Sequence, residues 1–180
     1  MVMVGMFFLF LSITSCENDL NQVKVVTTTD DAPDEIVNNL HTIYSDSGIV
    51  KFEIVSSRTE EYSKPKQKTL FKDGFTVNFF KGKDSIVSTL SADYAEMRKE
   101  ENLIIARNKV IFTNFETGKT LKTEELYWDQ QSKRVRTEKR FEIIGKESRL
   151  EGFGVDSDET FSDYVMHDVT GEYILKDTAQ

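Results

Sequence analysis

The stretch that decides the fold is TLKTEELYWDQQSKRVRTEKRFEIIG, residues 120–145. In its second half, Val135, Phe141 and Ile143 fall at odd positions, whereas charged residues fill the even positions from 134 to 142. Side chains of a β-strand point alternately to opposite faces of the sheet. The spacing therefore predicts one long strand with an apolar face turned inward and a charged face in solvent.

The same pattern recurs along the chain. Residues 89–119 align with residues 120–148, so that Leu90 corresponds to Leu121, and a weaker third copy places Leu150 in the same position. Each unit of about thirty residues has the pattern strand, polar turn, strand, and units of this kind bury a continuous apolar face only when they stack. The sequence predicts an all-β domain built from two-strand repeats.

Two segments also fit a helix. SADYAEMRKEE has good helix propensity, but the equivalent part of the next repeat contains Leu, Tyr and Trp, which favours a strand. Ile36, Leu40 and Tyr44 would line one face of a short helix, although we expect a strand from about Leu40. The SDSG segment at 45–48 precedes alternating apolar residues and predicts a hairpin turn.

Composition excludes one class of partner. The chain has 180 residues, 38% of them hydrophobic, which suits one domain with a modest core. Lys and Arg number 23 against 31 Asp and Glu, for a formal net charge of -8. An acidic chain is poorly suited to binding nucleic-acid phosphates, so we expect no nucleic-acid partner.

The N-terminus predicts a leader. MVMVGMFFLFLSI is too short to span a membrane but suits the apolar part of a signal peptide. Ile13-Thr14-Ser15-Cys16 resembles a lipobox, although a structural cysteine after an uncleaved helix is the alternative. We expect a lipoprotein signal peptide over 1–16 with lipidation at Cys16, a flexible tether over 17–39, the β domain over 40–176 and a tail over 177–180.

The sequence contains no recognisable catalytic or metal-binding constellation. His41 and His167 lie far apart without metal-ligand spacing, and Cys16 is the single cysteine. The GFG at 152–154 is not a nucleotide-binding loop because no helix pattern follows it, and we expect strand flexing or a β-bulge there. We predict a protein that is not an enzyme, with no metal site and no cofactor.

Three runs carry a family resemblance: LSADYA, NKVIFTNFETGKTLKTEELYWD and VRTEKRFEIIGKESRLEGFGVDSDETFSDYVMHDVTG. From roughly Leu40 to Ile174 the chain resembles the LptC family of the lipopolysaccharide-export transporter. The resemblance implies an open β-jelly roll, a taco-like twisted antiparallel sheet whose interior holds the acyl chains of lipid A. It also implies passage of lipopolysaccharide from the LptBFG transporter to LptA, and residence on the periplasmic side of the inner membrane.

On that interpretation, strand alternation selects the residues that would line the lipid groove. They are Phe52, Ile54, Val77, Phe79, Ile104, Val110, Phe112, Val135, Phe141 and Ile143. The C-terminal strand, with Val169, Tyr173 and Ile174, would offer its edge to LptA. Anchoring through the lipid on Cys16 would replace the uncleaved helix of the best-known members, and outer-membrane residence is the less favoured location. The alternative function is an envelope scaffold that pairs strand edges but carries no lipid.

Overall fold

The computed structural model describes residues 32–82 and 85–173, with the backbone alone at 172 and 173. This part of the chain is an antiparallel sheet with one short 3₁₀ turn at Lys99–Glu101, which confirms the all-β prediction. The strands are β1 Glu35–Asp46, β2 Ile49–Tyr62, β3 Lys68–Phe71, β4 Phe75–Lys81, β5 Ser85–Ala92, β6 Tyr94–Arg98, β7 Leu103–Asn114, β8 Lys119–Asp129, β9 Arg134–Ile144, β10 Ser148–Asp158 and β11 Tyr164–Tyr173.

The strand order leaves the sheet open at both ends. Hydrogen-bonded neighbours follow the order β11, β10, β9, β8, β7, β5, β4, β2, with β1 on the other side of β2. The short strands β3 and β6 pair with each other and join the remaining halves of β2 and β7. Within the described residues, β1 and β11 each have one strand neighbour, so both are edge strands.

Three of the long strands, β7, β8 and β10, are irregular at the same level of the sheet, which we call the fold line. The pairing register shifts between Arg107 and Val110 in β7, between Thr123 and Tyr127 in β8, and at Gly154 in β10. Bulges of this kind bend a strand and increase its twist. Positive φ angles of 65° at Asn108 and 84° at Gly154 mark two of the bends. The bulge expected at residues 152–154 is therefore confirmed.

The fold line divides the sheet into two layers that close on each other like a taco. The first layer contains β4, β5 and the strand halves beside them; the second contains β3, β6 and the opposite halves. Trp128 in the second layer packs edge-on against Phe52 and Phe79 in the first, with ring centroids 5.0 and 4.9 Å apart. These aromatic contacts join the two layers.

The repeat seen in the sequence corresponds to a row of inward-facing residues. Leu90, Leu121 and Leu150 lie on alternate strands, and each is a cross-strand partner of Phe112 or Ile143. Directly opposite side chains on one face of a sheet pack against each other. The leucine position therefore recurs because it places one apolar residue of every second strand in a continuous ladder.

The first strand begins earlier than the sequence predicted. β1 starts at Glu35, which pairs with Glu61, whereas the domain was expected to begin at residue 40 and the tether to reach residue 39. The alternation of apolar and polar residues is weak in β1, because most of its side chains are exposed. The strand is held by backbone pairing with β2. The strand excludes the helix alternative for this segment. The predicted leader, Cys16 and most of the tether lie outside the described residues.

The predicted hairpin at residues 45–48 is confirmed. Ser47 and Gly48 form its two-residue loop with φ angles of 52° and 77°, and a type I′ hairpin turn requires a positive φ at both positions. The second ambiguous segment, SADYAEMRKEE, forms parts of β5 and β6 and the 3₁₀ turn, as the repeat indicated. Among the described residues, no helix has the length and apolarity needed to cross a membrane.

Candidate functional site

The ten residues predicted to line a lipid groove all face the space between the two layers. Nine of them are no more than 6% exposed and belong to one hydrophobic core, and Phe52 packs against that core while partly exposed. Strand alternation therefore identified the inner face correctly. In this structure the layers are packed against each other along that face, and lipid contact by these residues stays a prediction.

The interior becomes accessible toward the two edge strands. Leu40 on β1, Leu150 on β10, and Tyr164 and Met166 on β11 pack against the core but are only partly buried. Because β1 and β11 lack an outer neighbour in the described sheet, no further strand covers these side chains. The apolar interior is thus sealed at the fold line and exposed in part along the free edges.

A cavity of about 490 Å³ opens at the end of the two layers, and we call it the mouth cavity. Its apolar floor is a short aromatic stack: Tyr44 lies on Phe52 with ring centroids 4.8 Å apart, and Phe52 meets the edge of Trp128 at 5.0 Å. The lining residues are Tyr44, Asp46, Lys51, Phe52, Asn102, Trp128, Gln130, Gln131, Lys133 and Glu159.

The rim of the mouth cavity is polar and comes from several turns. The turn between β8 and β9 is shaped by the Asp129 carboxylate, which accepts hydrogen bonds from the backbone N–H groups of Gln131 and Ser132 at 2.9 and 3.0 Å. The N–H of Gln130 donates to the carbonyl of Asn102 at 2.9 Å and ties this turn to the 3₁₀ turn. The rim is therefore held in place by hydrogen bonds that backbone N–H groups donate to the Asp129 side chain and to the Asn102 carbonyl.

The loop between β10 and β11 forms the opposite side of the mouth cavity. Asp158 accepts hydrogen bonds from the N–H groups of Ser162 and Asp163 at 2.7 and 2.9 Å. Burial raises the pKa of this carboxyl, but the hydrogen bonds from the side chain and backbone of its own loop outweigh burial and lower the pKa overall. Phe161, with φ 55°, is buried and stacks on Phe112 at 5.4 Å, which fixes the loop to the core.

Glu159 extends from this loop to the mouth cavity. Burial raises the pKa of its carboxyl, against the opposing effect of the Lys133 and Lys51 ammonium groups. Sequence reasoning did not select Glu159, Lys51 or Trp128 as site residues. Trp128 lies within the repeat, but its position gives no sign that it forms the floor of a cavity, and a single glutamate in a polar turn carries no pattern.

The predicted partner edge is the outermost described strand on its side of the sheet. Val169 is 43% exposed, and its cross-strand partner is Gly152. The backbone of Tyr173 pairs with Ser148, and Ile174 lies outside the described residues. The structure thus gives β11 a free side, and its use as a docking edge stays a prediction.

The charged face of β9 lies on the outside, as alternation indicated, and both histidines are exposed. The charged side chains at the even positions from 134 to 142 are exposed or partly exposed. His41 and His167 are exposed and bond to Glu53 and Asp156 at 2.8 and 2.9 Å. Residues 32–82 and 85–173 contain no group of three His, Cys, Asp or Glu side chains placed to hold a metal ion.

Two comparisons with known proteins place these features in context. A search of curated proteins finds no significant match. A family model described as "LptC: Lipopolysaccharide-assembly, LptC-related" matches residues 1–173 and therefore covers the whole described sheet.

Proposed function

Because the chain belongs to the LptC family of lipopolysaccharide-assembly proteins, we propose that it is a non-catalytic relay for lipopolysaccharide. The family acts in lipopolysaccharide transport, as a periplasmic component associated with the inner membrane. In this proposal the chain takes lipid A acyl chains from the LptBFG transporter, shelters them between its two layers and passes them to LptA.

The observation that carries the proposal is an apolar interior in a sheet with two free edges. Acyl chains can enter such a sheet from the side, because no strand has to be removed to reach the partly exposed residues Leu40, Leu150 and Met166. Each CH₂ group of an acyl chain that moves from water into an apolar environment contributes about 0.8 kcal/mol to the free energy of binding. An inserted chain therefore replaces the apolar contacts that the layers lose when they separate.

The free edges also suit transfer between proteins. An edge strand presents unpaired backbone N–H and C=O groups, and a strand of a partner can add to them. We assign β11, with Val169 and Tyr173, together with Ile174 after it in the sequence, to LptA and the edge at β1 to the transporter. Joined in this way, successive jelly rolls would form one continuous apolar path.

The proposal includes a membrane anchor and a tether. Residues 1–16 act as a lipoprotein signal peptide, Cys16 carries the lipid on the periplasmic side of the inner membrane, and the segment before Glu35 links it to the sheet. Intact mass of the mature chain is the direct measurement. Cleavage before Cys16 with an added diacylglyceryl mass is the expected result, and an intact Met1 would contradict it.

The second candidate is a scaffold that pairs strand edges without carrying lipid. The packed interior favours it, since nine of the ten groove candidates are in core contact in this structure. A scaffold needs the free edges but does not need the layers to separate.

Native mass spectrometry distinguishes the two functions. The full chain is mixed with lipopolysaccharide, and LptA is then added. A saturable one-to-one lipid adduct that falls when LptA is added is expected for a relay. Binding of LptA with no lipid adduct at the same concentrations would support the scaffold.

A matched pair of variants locates the lipid. Phe52→Ala removes a partly exposed ring from the inner face, whereas Phe153→Ala removes one that is 55% exposed on β10. We expect the first change to weaken the lipid adduct and the second to leave it unchanged. Equal effects would show that lipid does not enter between the layers.

A further inference from the structure

The mouth cavity brings together two lysines from opposite layers. Lys51 lies on β2 in the first layer, and Lys133 follows the β8–β9 turn in the second. Among the described residues, neither ammonium group forms a close ion pair, although both interact electrostatically with the Glu159 carboxyl. Several other cations of the described sheet form close ion pairs, as Arg107 does with Glu125 at 2.8 Å. Two cations without a close ion pair, beside accessible aromatic rings, favour a ligand with an anionic head and an apolar tail.

Glu159 is the carboxyl group that both lysines face. The charged groups around it are Lys51 from β2, Lys133 from the β8–β9 turn and Asp158 from its own loop, and Asp46 from the β1–β2 turn lines the same cavity. Burial and the Asp158 charge disfavour its ionised form, and the two lysines favour that form. Glu159 thus occupies the position of an internal counterion.

We propose that the mouth cavity binds the phosphate of a phosphorylated acyl lipid between Lys51 and Lys133, in competition with the carboxylate of Glu159. The first methylene groups of the acyl chain then lie on the accessible rings of Tyr44 and Phe52. This inference rests on the proposed function and adds to it a head-group site at the mouth of the interior between the layers.

The competition makes binding depend on pH. When Glu159 is ionised, it repels the phosphate and attracts the same lysines. Its pKa is raised above the ordinary value of 4.5, so as pH falls toward that raised pKa, protonation removes the repulsion and strengthens binding. A phosphomonoester itself gains a proton near pH 6, which acts in the opposite direction. The variant Glu159→Gln separates the two effects. It removes the titrating carboxyl group of the protein and leaves the titration of the ligand's phosphate unchanged.

The test uses dodecyl phosphate, below the concentration at which it forms micelles, and the intrinsic fluorescence of Trp128, the single tryptophan of the chain. Loss of one charge-assisted contact corresponds to about a tenfold change in affinity. We expect the double variant Lys51→Ala/Lys133→Ala to bind about a hundredfold more weakly. Glu159→Gln is expected to bind several-fold more tightly at pH 7.5 and to show less dependence on pH between 5 and 7.5.

Controls identify the ligand class. Lys122→Ala, an exposed lysine on β8, should leave binding unchanged. Dodecyl maltoside, which has no phosphate, should bind the wild type and the double-lysine variant equally. If inorganic phosphate binds as tightly as dodecyl phosphate, the cavity is a site for free phosphate and the lipid proposal is wrong. Far-UV circular dichroism checks that each variant is folded.

The outcomes separate this inference from the relay function. If lipopolysaccharide forms its adduct but the lysine and Glu159 variants bind dodecyl phosphate like the wild type, the head-group site is refuted and the relay stands. If the variants change dodecyl phosphate binding as expected but no lipopolysaccharide adduct forms, the site stands and the relay fails.

Discussion

Replacing Trp128 with Ala should destabilise the domain strongly, because this side chain joins the two layers. The indole is fully buried and packs edge-on against Phe52 and Phe79. Removing a buried Trp or Phe side chain costs about 3–5 kcal/mol. Aromatic pairs of this geometry contribute about 0.5–1.5 kcal/mol each, so the two contacts account for about 1–3 kcal/mol of the total. We expect a loss of about 4 kcal/mol in the free energy of unfolding.

Urea unfolding followed by far-UV circular dichroism measures this loss, since the variant has no tryptophan fluorescence. Trp128→Phe retains one ring between the layers and should lose roughly half as much. Phe115→Ala, at a side chain 58% exposed, should change stability by less than about 0.5 kcal/mol. If Trp128→Ala costs no more than Phe115→Ala, the two layers are not held together by this aromatic contact, and the taco arrangement of the core is wrong.

Three further substitutions test particular contacts. Gly152→Ala should cost about 2–3 kcal/mol and release β11, because the added methyl group would overlap the backbone carbonyl of Asp168; hydrogen exchange of β11 amides reports the loss. Asn114→Ala should cost about 2 kcal/mol in urea unfolding, because the buried Asn114 amide donates to the carbonyl of Thr160 at 2.9 Å. Asp158→Asn should destabilise the protein at neutral pH. Since the pKa of Asp158 is lowered from 3.8 in the fold, the difference from the wild type should shrink as pH falls below 3.8, and a constant difference in thermal unfolding would contradict the assignment.

The packed interior has a consequence for lipid transfer. The inward-facing residues nearest the fold line, such as Val110 and Val155, are buried, whereas Tyr44 and Phe52 are accessible at the mouth cavity and Met166 is partly exposed at the edge. Separation of the layers should therefore begin at the edges and the mouth, where fewer apolar contacts are lost. Charged substitutions at fully buried positions such as Phe112 would unfold the domain, so they cannot distinguish a groove from a core.

The sequence by itself determined which residues face inward. Alternation in β9 identified Val135, Phe141 and Ile143 as inner and the intervening charges as outer, and the recurring leucine located the ladder. These features are local, because the side-chain direction along a strand depends only on position within that strand. The same local information predicted the turn at Ser47 and Gly48.

Only the tertiary structure decided where the strands bend and what meets across the layers. The positive φ angles at Asn108 and Lys109 follow no pattern of polarity, and the early start of β1 depends on backbone pairing with β2. The mouth cavity combines Lys51, Lys133 and Glu159 from segments far apart in the chain. The raised pKa of Glu159 comes first from burial, and burial exists only after the two layers have closed on each other.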